Sequence, residues 1–182
     1  MHDITSANLH NAYGGESMAH MRYETWGYKA EQDGFPNTAR MFRAITFAEQ
    51  IHANNHFREL RDLVGGFVCN SAAVFGIGPT SKNLQGGIDG ETYEMTEMYP
   101  TFLETAKFQG EKGAERSFSY ALASEKTHAA FFQKAKTAID SGKDVKLGTM
   151  QICTVCGWTY EGDAPDVCPV CGAKKEKFHS FA

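Results

Sequence analysis

The chain has 182 residues, 42% of them hydrophobic and 22% charged, and a formal net charge of -4. These proportions fit one globular domain with a small appendage; no basic patch offers a nucleic-acid footprint and no polybasic run offers a membrane anchor. No apolar run reaches the length of a bilayer span and the first 11 residues lack the apolar core of a secretory signal, so a cytoplasmic location is expected.

Four long helical stretches precede a cysteine-rich module. In the first, residues 6–32, Leu9, Tyr13, Glu16, His20, Tyr23 and Gly27 recur at steps of three and four, on one face. Ser6 is its candidate N-cap, and Asp33-Gly34-Phe35-Pro36 its stop. The second covers residues 37–64, with Asn37 as candidate cap and Phe42, Ile45, Glu49, His52 and His56 on one face. Residues 65–87 read as a Gly-rich link, long enough for a crossover running the length of a bundle. Cys69, within it, is expected to pack as a small apolar residue. The third helix should start at 89 or 90 and reach 110, with Glu91, Glu94, Met98 and Phe102 on its face and a kink at Pro100. The fourth, residues 114–141, carries the stripe Phe118, Ala121, Leu122, Glu125, His128, Ala129, Phe132, Ala135 and Ile139, and Gly142 closes it. Residues 141–149 read as a linker. The expected division is a helical bundle over 1–147 and a cysteine module over 148–182.

Charged residues should avoid the apolar stripe of a core helix. Here Glu16, Glu49, Glu91, Glu94 and Glu125 all lie on the predicted core faces, as do His52 and His128. A buried carboxylate costs several kcal/mol, or takes up a proton, unless a charge compensates it. Multivalent cations remove that cost. The spacing agrees: Glu49-x-x-His52 and Glu125-x-x-His128 each project a carboxylate and an imidazole from one helix face. With one Glu from each of two further helices, here Glu16 and Glu91, this is the arrangement of bundles that hold two iron or manganese ions. Glu94, one turn beyond Glu91, is surplus to it. Oxygen and imidazole donors suit iron or manganese and would also take zinc. A lone Glu-x-x-His is common on solvated helices; two copies inside apolar stripes, joined by two inward carboxylates, are not.

Cys153-x-x-Cys156-Gly and Cys168-x-x-Cys171-Gly form two knuckles that converge four thiolates on a tetrahedral site. The ligand set fits iron or zinc, and a zinc ribbon that only stabilises the module is the structural alternative. Trp158, Tyr160, Pro165 and Phe178 can build its small core. His2, His10 and His179 look peripheral, and His20 and His56 read as satisfied core or supporting residues.

Together these motifs resemble the rubrerythrin family. The stretches that carry the resemblance are Gly15-Glu16-Ser-Met-Ala-His-Met-Arg-Tyr23, Phe47-Ala-Glu49-Gln-Ile-His52, Gly90-Glu91-Thr-Tyr-Glu94 with Met98-Tyr99-Pro100, and Glu125-Lys-Thr-His128, followed by a short rubredoxin-like module. The resemblance implies a mainly α fold, a ferritin-like four-helix bundle with a long crossover plus a small metal-knuckle domain. It implies two iron ions at the carboxylate site and one at the four cysteines. Glu49 and Glu125 would bridge the irons, Glu16 and Glu94 would serve one, and Glu91 with His128 the other. His52 would replace Glu94 on reduction, and Tyr23 and Tyr99 would hydrogen-bond ligand carboxylates. The implied activity is reduction of hydrogen peroxide, with electrons from a separate NAD(P)H-driven reductase or a rubredoxin. The implied assembly is a homodimer or larger, in which a flexible linker lets the small domain approach a partner's bundle. The departure from the family is the link after the second helix, which is long across residues 64–78. A ferroxidase or iron-storage protein, a dioxygen-reducing oxidase and a non-enzymatic protein with a zinc ribbon are the rival readings.

Overall fold

The computed structural model describes residues 1–182. Two helical hairpins make the bundle. Helix α1 (Asp3–Gln32) packs along α2 (Pro36–Glu59), and α3 (Thr80–Tyr93) continues through a π-helical turn, Glu94–Met98, into α4 (Tyr99–Phe108). That composite helix packs on α5 (Lys112–Asp140).

The apolar stripes meet in two clusters. Tyr23, Trp26, Phe42, Ile45, Leu84 and Phe132 belong to one, and Leu9, Leu60, Tyr99, Ala106 and Phe118 to the other. Between them along α1, α2 and α5 lie Glu16, Glu49 with His52, and Glu125 with His128, all buried. A polar layer thus interrupts the core where close packing would otherwise favour hydrocarbon.

Helix ends differ from the sequence reading because their partners are distant. Ser6 does not cap α1: it is buried inside the helix, and His2 holds the cap position with its backbone N–H donating to Glu111 at 2.7 Å. Asn37 does not cap α2 either, which starts at Pro36, where a missing N–H is harmless. Its free N–H groups at Asn37 and Thr38 donate instead to the Asp144 carboxylate at 2.7 and 3.1 Å. Helix α3 begins at Thr80 rather than 89 or 90, and Thr80 donates from N and Oγ1 to Asp33 at 3.2 and 2.7 Å. Gly86 and Gly87 are therefore helical. A Cβ on Gly86 would lie 3.0 Å from Trp26, and one on Gly87 2.9 Å from Phe132, so these glycines serve close packing. Helix α2 stops at Glu59 rather than 64, so the link runs over 60–79. Cys69 in it is exposed, not packed away.

The π turn has a consequence for the site. Tyr99 N–H bonds to the carbonyl of Glu94, five residues back. In a regular helix Tyr99, eight positions after Glu91, would sit about 80° around the axis from it. One extra residue in the turn brings it back to within about 20°. Tyr99 is accordingly fully buried and Met98 only partly so.

The C-terminal segment forms an antiparallel sheet in the order β2 (Thr159–Glu161), β1 (Met150–Cys153), β3 (Phe178–Phe181). Its approach is no loose tether. Val145, Met150 and Ile152 join the larger apolar cluster, and the Arg40 guanidinium donates to the carbonyls of Leu147, Gly148 and Phe181 at 2.8–2.9 Å. The expected flexible linker is thus corrected: residues 145–152 pack on the bundle of the same chain.

Candidate metal centres

Two groups of side chains converge in the polar layer. Glu16, Glu49, His52 and Glu125 form one; Glu49, Glu91, Glu125 and His128 form the other; in each, the possible ligand atoms lie within 4.8 Å of one another. Glu49 and Glu125 are common to both. The i, i+3 spacing on α2 and α5 aims each Glu and His at the same point, and α1 and α3 each supply one carboxylate.

The donor set fits metal ions. Seven of the nine buried side-chain polar atoms without a hydrogen-bond partner belong to it: Glu16 Oε2, Glu49 Oε1, His52 Nε2, Glu91 Oε2, both oxygens of Glu125 and His128 Nδ1. His128 Nδ1 lies 2.8 Å from Glu125 Oε2 and 3.2 Å from Glu49 Oε1, yet makes no aligned hydrogen bond. His52 Nδ1 lies 2.9, 3.0 and 3.5 Å from oxygens of Glu49, Glu125 and Glu16. Native interiors seldom leave so many polar atoms unpaired in one place, and cations between them would satisfy all but the outward-facing His52 Nε2.

Without metal, protons must balance the charge. Burial, then Glu49 and Glu125, push Glu16 up to about 8. Burial alone would lower His128, but the Glu49 and Glu125 carboxylates outweigh it and raise it to about 9. His52 is raised well above its ordinary value in the same way, burial opposing and Glu125 prevailing. Glu49, which burial would raise, is held far below the carboxylate range by His128 and His52. Glu91 and Glu94 are pushed well up, chiefly by burial and then by neighbouring carboxylates.

Hydrogen bonds fix the outer carboxylates. Tyr23 Oη donates to Glu91 Oε1 at 2.6 Å, and Tyr99 Oη donates to Glu16 Oε1. Since Tyr99 spends its proton on Glu16, it accepts from His56 Nε2 at 3.0 Å. His56 Nδ1 is then the acceptor for Ser117 Oγ at 2.8 Å. Ser117, His56 and Tyr99 are thereby satisfied, leaving Glu16 Oε2 open, and burial holds His56 neutral, down to about 3. His20 is satisfied too, with Nδ1 2.9 Å from the Thr46 carbonyl. Glu94 stands outside both groups. It is half-buried on the wall of a cavity of about 450 Å³, with Arg22, Asn70 and Met98.

The four cysteines close the second centre. Cys153–Cys171 and Cys156–Cys168 Sγ atoms are both 3.6 Å apart. A tetrahedron with metal–sulfur bonds of about 2.3 Å has edges of about 3.8 Å, so the thiols are placed for one ion. Cys153 is lowered to about 5, first by the Cys156 thiol and then by backbone N–H groups, while burial raises Cys171 to about 11.

The first knuckle touches the carboxylate site. Thr159 Oγ1 lies 2.8 Å from His128 Nε2, and a Cβ placed on Gly157 would fall 2.2 Å from His52 Nε2. Neither Gly157 nor Thr159 stands out in the sequence as belonging to the carboxylate centre, because nothing local tells which bundle face the module covers.

Residues 7–136 match the family model described as rubrerythrin, and residues 151–179 match its rubredoxin-like domain. The chain belongs to the rubrerythrin family. It is 48% identical to rubrerythrin-2 of Clostridium acetobutylicum, over 98% of this chain and 97% of that one. Its fold superposes on the fully reduced, all-ferrous structure of nigerythrin with a TM-score of 0.85 at 30% identity, covering 97% of this chain and 86% of the other. Mycobacterium tuberculosis bacterioferritin shares the fold alone, with a TM-score of 0.69 at 16% identity. In this family setting the carboxylate–histidine groups match a two-iron site and the cysteine knuckles a one-iron site. The fold is mainly α, a ferritin-like bundle with a rubredoxin-like knuckle domain. No helix is long and apolar enough to cross a membrane.

Proposed function

We propose that this rubrerythrin-family chain is a peroxidase, reducing hydrogen peroxide to water at the carboxylate site with electrons entering through the four-cysteine centre. Glu49 and Glu125 are assigned as the shared ligands, Glu91 and His128 as ligands of one iron, and Glu16 with His52 or Glu94 as ligands of the other. The two irons, when bound, supply Lewis acidity and one electron each. The protein supplies the rest. Tyr23 and Tyr99 hold Glu91 and Glu16 in place. Glu94, its carboxyl raised by burial, holds a proton at the cavity wall and is the proposed donor to the departing oxygen. The apolar residues of α1, α4 and α5, Leu9, Ala106 and Phe118 among them, keep bulk water from the ligands.

The observation that carries this reading is the seating of the cysteine domain against His52 and His128. An iron-storage protein has no use for a one-electron centre at that spot, whereas a peroxidase needs its two electrons replaced after each turnover. The reading includes a separate NAD(P)H-driven reductase or a rubredoxin as donor. It includes a cytoplasmic setting, supported by paired cysteines arranged for metal. It includes a homodimer or larger assembly, supported by the exposed Val64, Val68, Phe75 and Phe108. Zinc placed in the cysteine site, with iron kept at the carboxylates, is the test: steady-state peroxide reduction should stop, because zinc has no redox chemistry. Unchanged turnover would contradict the reading.

A further inference from the structure

We propose that the cysteine domain completes the two-iron site: Thr159 fixes the tautomer and ring orientation of His128, and Gly157 seats His52, so that iron affinity at the carboxylates depends on the folded module of the same chain.

Hydrogen-bond accounting carries the first half. The Thr159 hydroxyl has one proton, and Oγ1 lies 3.2 Å from the Gly157 carbonyl, which can only accept. Thr159 therefore accepts from His128, 2.8 Å away, and His128 Nε2 carries the proton. That leaves Nδ1, the atom facing Glu49 and Glu125, as the ligand nitrogen. Both residues are buried, so water does not compete for the bond. A partner that holds the outer nitrogen of a ligating histidine commonly accounts for a 10–100-fold change in metal affinity.

Steric contact carries the second half. Gly157 has φ +83° and follows the second cysteine of its knuckle; Gly172 has φ +75° at the same place in the other. A Cβ at 157 would lie 2.2 Å from His52 Nε2 and 3.2 Å from the Ala48 carbonyl, whereas one at 172 meets nothing within 4 Å. Backbone strain is common to the two positions, and contact with the two-iron site belongs to Gly157 alone. The coupling is reciprocal: iron at the carboxylates must stabilise the docked module by the same free energy. None of this depends on whether peroxide or dioxygen is reduced.

The test is anaerobic titration of ferrous iron into protein whose cysteine site already holds iron, the colour of that site reporting an intact module. Thr159→Val should weaken ferrous binding at the carboxylates about 10–100-fold, and Thr159→Ser should restore it. Gly157→Ala should weaken it and Gly172→Ala should not. Wild-type affinity in Thr159→Val, or a Ser variant as weak as Val, would overturn the role of the hydrogen bond. Equal effects of the two alanines would overturn the seating of His52.

Discussion

Tyr23 on α1 donates its phenol proton to Oε1 of Glu91 on α3 at 2.6 Å, with both groups buried. The bond leaves Oε2 of Glu91 without a partner, in the group with Glu49, Glu125 and His128 that could hold an ion. Tyr23→Phe removes the donor and keeps the ring packed between Trp26 and Phe132. Ferrous affinity should fall about 10–100-fold while the fold persists. Ferrous titration beside circular dichroism checks both; unaltered affinity would show that the tyrosine does not orient the ligand.

His56→Leu should cost about 1–3 kcal/mol of stability, read from denaturant unfolding of the metal-free protein. It leaves Ser117 and Tyr99 in the core without the group that satisfied each of them. An unchanged unfolding midpoint would mean the chain to Glu16 contributes nothing.

Metal binding should depend on pH with a definite sign. Glu16 at about 8 and His128 at about 9 hold protons near neutrality that iron must displace. Ferrous affinity should therefore rise, and proton release fall, as pH climbs towards 9. Both values lie above the ordinary 4.5 and 6.5, so these protons stabilise the metal-free fold and that stabilisation is lost as pH rises through the same range. Metal-free protein should melt lower at pH 9 than at pH about 6, and a flat profile would contradict the sign.

Asp144→Ala removes the acceptor for two N–H groups at the start of α2 and for the Thr38 hydroxyl. It should lower thermal stability by about 1–2 kcal/mol, the usual worth of a helix cap. A loss within error would show that solvent replaces the carboxylate there.

Glu94→Ala should slow peroxide turnover and leave the cysteine-site spectrum unchanged, because Glu94 lies on the cavity wall, away from the knuckles. Wild-type peroxide kinetics in this variant would remove Glu94 from the mechanism.

The ligand pattern was legible because it violates a rule: carboxylates at Glu16, Glu49, Glu91 and Glu125 sit where an apolar stripe belongs, and the structure buries all four. What stayed hidden was set at long range. Gly86 and Gly87 read as link because a lone sequence does not reveal that Trp26 and Phe132 need the space a Cβ would occupy. The true cap of α2 lies 107 residues away at Asp144. Helical periodicity placed Met98 on the inner face, and the π turn before Pro100 put Tyr99 there instead. The contacts of Gly157 and Thr159 depend on docking between modules, which carries no local signature.

The most direct test of the account is a single turnover. Fully reduced, iron-loaded protein is mixed anaerobically with stoichiometric hydrogen peroxide, and separately with dioxygen, while the visible colour of the ferric four-cysteine site is followed. The account predicts fast return of colour with peroxide and slow return with dioxygen. Faster return with dioxygen would contradict it in favour of an oxidase or ferroxidase.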